Sequence, residues 1–166
     1  MPHKLCCGTF MNELLESLRR DYPAITFVEG AAFYWSPNDN SVTYGGSSTQ
    51  PDIACWSLLH EVSHGILGHT AYHSDFELME LEVEAWRRAR KIAKKYGISI
   101  SPEHIEDCLD TYRDWLHRRA TCPACGTVSI QKDPRTYECF NCKTSWHVSD
   151  QRFCRPYRRV MPIDKD

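Results

Sequence analysis

No stretch of about 18 consecutive apolar residues occurs in the 166-residue chain, so the sequence offers no membrane-spanning helix and no membrane partner is expected. Neither sign of charge dominates: 20 Lys and Arg against 22 Asp and Glu leave a formal net charge of −2, which supplies no overall basic field for nucleic acid. Internal repeats and low-complexity segments are absent, and residues 1–8 lack the apolar run of a secretory signal. A soluble, cytoplasmic protein with reduced thiols is therefore expected. Cysteine, by contrast, is abundant: there are nine, an odd number that argues against a fully paired disulfide framework. The length fits one ordinary domain, or a domain of about 120 residues followed by a module too small to fold on an apolar core alone.

The most informative motif is His60-Glu61-Val62-Ser63-His64, an HExxH sequence inside a helical pattern. Residues i and i+4 share a helix face, so both imidazoles can address one zinc while Glu61 reaches a water on its open position. Zinc brings the pKa of such a water toward about 7, and Glu61 can accept its proton as general base. The flanking residues, Ile53-Ala54-Cys55-Trp56-Ser57-Leu58-Leu59 before and Gly65-Ile66-Leu67 after, are largely apolar, which predicts a buried helix rather than a surface coincidence.

Around the motif the pattern reads as α+β. An amphipathic helix is expected over residues 9–20, short strands over 24–28, 31–35 and 41–44, and the motif helix over 51–69. Two more helices follow over 75–96 and 101–119, the second with Ser101 as N-cap and Pro102 at its first position. Near residue 120 cysteine spacing replaces helical periodicity. The expected organisation is a zincin-like helical domain with a small N-terminal sheet over residues 1–120, then a small β zinc ribbon with a basic tail over 121–166.

A catalytic zinc needs a third protein ligand. The helix from Asp75 offers Glu77, Glu80, Glu82 and Glu84. Its apolar face is centred on Leu78, Leu81, Ala85, Ala89, Ile92 and Tyr96, with Trp86 and Ala93 at one side, and Glu82 falls inside it. Glu80 and Glu84 project outward beside Arg87, Arg88 and Lys91, as solvated residues paired with cations do. Glu82 is the expected ligand, with Glu84 as the alternative and His69 or His73 behind them.

The run from His60 to His69 followed by Glu82-Val83-Glu84-Ala85-Trp86-Arg87-Arg88-Ala89 resembles the ImmA/IrrE family of gluzincin metallopeptidases, over roughly residues 50–95. That family pairs HExxH, often continuing to a leucine-glycine-histidine, with a later ExxA-type helix. The resemblance implies His60, His64 and Glu82 as zinc ligands, Glu61 as general base, and His69 at a recurrent position that is not a ligand. It also implies narrow specificity toward regulatory proteins. Trp86 and Arg88 depart from the family pattern, and thermolysin-like spacing would place the ligand at Glu84. The oxyanion donor is not identified; Tyr44, Tyr72 and His73 are candidates, and the strand at 41–44 is a candidate edge for an extended substrate.

Cys122-Pro123-Ala124-Cys125 and Cys139-Phe140-Asn141-Cys142 are two knuckles with thirteen residues between them, the spacing of a structural four-cysteine zinc site. Such a site stands in for the core that so small a module lacks. Cys6, Cys7, Cys55, Cys108 and Cys154 remain, and none reads as a nucleophile. Two zinc ions, one catalytic and one structural, are thus expected. The expected function is a zinc metalloendopeptidase acting on protein or peptide substrates. Alternatives are a SprT-like protease acting on DNA-bound proteins, or a non-enzymatic regulator whose ribbon and arginine tail (Arg152, Arg155, Arg158, Arg159) bind nucleic acid or protein.

Overall fold

A computed structural model describes residues 7–45, 50–149 and 158–161, with side chains from Phe10 onward. Its described residues form four helices and two small sheets, an α+β architecture. In chain order these are α1 (Cys7–Asp21), β1 (Thr26–Glu29), β2 (Tyr34–Ser36), β3 (Ser41–Tyr44), α2 (Pro51–Leu67), α3 (Asp75–Lys95), α4 (Pro102–Ala120), β4 (Ile130–Asp133), β5 (Thr136–Glu138), β6 (Ser145–Val148) and β7 (Arg158–Val160). None of the described helices is long and apolar enough to cross a membrane. The chain divides into two compact units, Met1–Thr70 with Val83–Ser101, and Ala71–Glu82 with Pro102–Asp166.

In the first unit, α1 buries Leu14, Leu15 and Leu18, the stripe its periodicity marks out, while Phe10 at its edge is exposed. The sheet has the order β1-β3-β2, with β1 parallel and β2 antiparallel to β3. This corrects the expectation for residues 41–44: β3 is the central strand, with both edges already paired, so no substrate can add to it. Among the described residues, β1 and β2 are the outer strands.

Helix α2 packs on α1, β2 and β3. Leu58, Leu59 and Val62 are fully buried, each worth about 1.5–3 kcal/mol as an aliphatic side chain removed from water. Pro51 starts the helix at its first turn. Its end differs from the expected His69: Gly68 adopts a left-handed conformation with φ 67°. The N–H groups of Gly68 and His69 then bond back to the carbonyls of Gly65 and His64, a Schellman ending. His69 therefore lies beyond the helix, on a chain that has turned back. At the far end of α3, Lys95 and the Tyr96 hydroxyl both meet Asp21 at 2.8 Å, and those two contacts hold the Asp21 carboxyl below its ordinary pKa.

The second unit contains α4 and an antiparallel sheet in the order β4-β5-β6-β7. The first strand of this sheet begins at Ile130, and Val128 before it makes an isolated bridge to Thr121. Tyr137, Trp146, Val148, Cys122 and Cys139 form a small core. The Trp146 indole N–H donates to the Arg119 carbonyl at 2.9 Å. The buried Arg119 guanidinium stacks over Trp115 and donates to the Pro134 carbonyl. Asp75 accepts from the Tyr137 hydroxyl, and burial raises its pKa against the opposing pull of Arg119. The first turn of α3 is capped by Ser74, whose Oγ accepts the Glu77 N–H, while the Glu77 carboxylate accepts the His73 N–H.

Candidate metal centres

His60 and His64 stand one turn apart on the buried stretch of α2, their Nε2 atoms 3.1 Å apart. Their rings meet edge to face with centroids 4.7 Å apart. Glu82 on α3 is only 5% exposed, and one ligand atom from each of His60, His64 and Glu82 lies within 4.8 Å of the other two. Two nitrogens bound to one tetrahedral zinc at about 2.0–2.1 Å would be about 3.3 Å apart, so the imidazole spacing suits a shared ion. Two neutral imidazoles and a carboxylate are also the donor chemistry of a three-ligand zinc that keeps a position open.

Each glutamate near the motif has a distinct place. Glu61 accepts the main-chain N–H of Trp35 at Oε2, 2.8 Å away. Glu84, at 54% side-chain exposure, faces His69 Nε2 at 3.5 Å. Glu77 is spent on the cap, and Glu80 is exposed. The structure thus brings Glu82 to the two histidines and sets Glu84 against His69. His69 places its Nδ1 2.8 Å from the Nδ1 of His64, the ring nitrogen opposite the one that meets His60. Trp86 stacks on His60 with centroids 4.2 Å apart. Among the oxyanion candidates, the Tyr44 hydroxyl accepts from Arg19 at 3.3 Å.

Trp35 is the site residue that sequence reasoning missed. Besides its main-chain N–H on Glu61, its indole N–H donates to the His69 carbonyl at 2.8 Å. Its ring also lies so close to α2 that a Cβ added at Gly65 would sit 2.9 Å from it. That contact explains why the residue after the second histidine is glycine. A main-chain donor leaves no compositional trace, so only the apolar pattern of the strand was readable there.

The four cysteines of the two knuckles converge as their spacing predicts. Cys122 and Cys142 sulfurs are 3.6 Å apart, and Cys125 and Cys139 3.5 Å, near the roughly 3.8 Å of thiolates sharing a tetrahedral zinc at about 2.3 Å. These thiols are free and not disulfide-bonded. The two knuckles repeat one design. In each, the first cysteine's carbonyl accepts from a left-handed residue, Gly126 or Lys143, and its N–H donates to the carbonyl of Thr127 or Thr144. The hydroxyls of those threonines lie 3.3 and 3.2 Å from Cys125 and Cys142. The shared pattern Cys-x-x-Cys-x-Thr at 122–127 and 139–144 is the short local signal of this design in the sequence. The Thr127 side chain is the main cause that lowers the Cys125 thiol to about 6, whereas burial raises Cys122 to about 11. Main-chain donation from Cys142 lowers Cys139.

Cys55 is buried and Cys108 half-buried on their helices. Cys6, Cys154, Arg152 and Arg155 lie outside the described residues; Arg158 and Arg159 belong to β7, where Arg158 donates to the Thr121 carbonyl at 2.7 Å. Fold and sites together define a mixed α+β protein with two groups of side chains that can hold a metal ion, one of two histidines and a glutamate, the other of four cysteines. No family model, curated protein or solved structure matches the chain.

Proposed function

We propose that the protein is a zinc metalloendopeptidase of zincin-like architecture, with His60, His64 and Glu82 holding a catalytic zinc. A second, structural zinc is held by Cys122, Cys125, Cys139 and Cys142 in a C-terminal ribbon. The observation that carries the reading is the convergence of the three buried donors beside a glutamate whose second oxygen is already tied to the Trp35 N–H. Bound there, zinc would acidify a water and polarise the carbonyl of a peptide bond.

Glu61 is the group that takes the proton and returns it to the leaving amine; a positioned acid–base residue of this kind contributes about 10²–10⁴ in rate. Trp35 lies on β2, an outer strand of the sheet, and donates its N–H to Glu61 and not to β3. The outer edge of β2 is therefore the side of the sheet that reaches the general base, with its Trp35 N–H spent on aiming Glu61 and not open to a substrate strand. A four-thiolate site has no open position, so the ribbon contributes folding and recognition but no chemistry.

The SprT-like alternative needs a histidine as third ligand. His69 is occupied on the Nδ1 side of His64, which favours the carboxylate set. We expect a narrow group of regulatory proteins as substrates and a cytoplasmic location, with the ribbon as the surface for a protein or nucleic-acid partner.

The test compares wild type with Glu61→Gln in a lysate of cells that express the protein, with newly formed N-termini labelled and sequenced. Cleavages present with wild type, absent with Glu61→Gln and abolished by a zinc chelator are expected, with unchanged zinc content in the variant. The same set of N-termini from both proteins would sink the peptidase reading and favour a binding protein.

A further inference from the structure

We infer that His69 is a positioning residue that fixes His64 in the tautomer able to ligate metal, and that Trp35 holds His69 in place while aiming Glu61. The inference rests on the reading of His60, His64 and Glu82 as a zinc site. A neutral imidazole carries one proton, and if His64 presents a bare Nε2 to a metal its proton must be on Nδ1. That N–H needs an acceptor in a buried setting, and the atom 2.8 Å away is the Nδ1 of His69, itself 7% exposed. To accept there, His69 must carry its own proton on Nε2, which faces the Glu84 carboxylate at 3.5 Å. The series His64, His69, Glu84 then has one proton direction from end to end, with the carboxylate as final acceptor. Glu84 thereby acquires a role distinct from that of Glu82, two residues away on the same helix.

His69 is held by its main chain as well as its ring. Gly68, at φ 67°, turns the chain after α2 so that His69 returns toward the helix, and its N–H bonds to the carbonyl of His64, the residue its ring supports. Its carbonyl accepts the Trp35 indole N–H at 2.8 Å. Trp35 also supplies the main-chain N–H that holds Glu61 Oε2. One residue of β2 thus links the general base to the support of a metal ligand, and the two chemical groups are set by a single piece of packing over Gly65. Partners behind a metal-binding histidine typically change metal affinity about 10–100-fold when removed.

The experiment measures zinc affinity by competition with a chromophoric chelator for the full-length wild type, His69→Leu and His69→Asn, and records the visible spectrum of each after cobalt substitution. An asparagine amide oxygen stands near where a histidine Nδ1 stands and can accept the His64 N–H; leucine fills the space without accepting. Expected results are a wild type with two bound zincs, a His69→Leu whose weaker zinc is held about 10–100-fold less tightly with an altered cobalt spectrum, and a His69→Asn close to wild type in both. Equal affinity and spectrum in wild type and His69→Leu would overturn the inference. Equal loss in both variants would also overturn it, by showing a packing role and not acceptance of a proton. A wild type with ribbon zinc alone would instead remove the metal-site reading on which the inference stands, and is distinguishable because no variant is needed to see it.

Discussion

The two groups of side chains that can hold a metal ion assemble their donors over different distances along the chain, and that difference governs what each depends on. The four-cysteine group draws its ligands from two short knuckles that repeat the same hydrogen bonds, with Thr127 and Thr144 closing equivalent turns. The histidine–glutamate group depends on a buried helix, a second helix that aims a glutamate into a core, a strand that holds Glu61, and a C-cap that returns His69 to His64. A local site of this kind tolerates change elsewhere in the fold but not in its own few residues. A site built from distant elements is sensitive to packing several residues away from any ligand.

The largest effect is expected at the local group. Cys139 is fully buried at the centre of the ribbon's small core, and structural zinc contributes about 10–16 kcal/mol of apparent binding free energy in modules of this size. Cys139→Ser should therefore lose one zinc and unfold β4 to β7, read by elemental analysis and by the near-ultraviolet circular dichroism of Tyr137 and Trp146. A folded ribbon in that variant would mean that its apolar core suffices without metal.

A smaller effect distinguishes the distributed group. Gly65 has no side chain to offer a metal, yet an alanine Cβ there would lie 2.9 Å from Trp35 and from Ile25. Gly65→Ala should lower stability by about 1–3 kcal/mol, as overpacked sites do, and should reduce peptidase activity more than zinc content, because Trp35 moves with its hold on Glu61. Denaturant unfolding together with cleavage assays would check this; unchanged activity in a destabilised protein would remove Trp35 from the catalytic arrangement. The smallest effect returns to the knuckles. Lys143 occupies, at φ 63°, the position that Gly126 fills in the other knuckle. Lys143→Gly should stabilise the ribbon by about 0.5–1 kcal/mol, the left-handed cost of a side chain less the added freedom of glycine, seen as slower zinc loss to a chelator.

Legibility in the sequence follows the same division. Both CxxC knuckles and the HExxH pair could be read directly, because spacing along a turn or helix already fixes which atoms meet. The helices could be read from periodicity, and Glu82 from its position on an apolar helix face, since a carboxylate aimed into a core needs a partner. The span of strand 41–44 is legible but its central place in the sheet is not, because pairing order depends on chain-distant hydrogen bonds that a local pattern does not carry. Trp35 escaped for a similar reason: what it contributes to Glu61 is a main-chain N–H, identical in every residue but proline. His69 was visible as a residue near the motif, but its function depends on the turn at Gly68, which places it outside the helix that periodicity extended through it.

The most direct measurement is zinc per chain, by elemental analysis of protein purified without chelator, for wild type, Glu82→Ala and Glu84→Ala. About two zincs, about one and about two are expected respectively, since Glu82 converges with His60 and His64 while Glu84 pairs with His69. Two zincs retained in Glu82→Ala, or one zinc already in the wild type, would contradict the reading of His60, His64 and Glu82 as a zinc site.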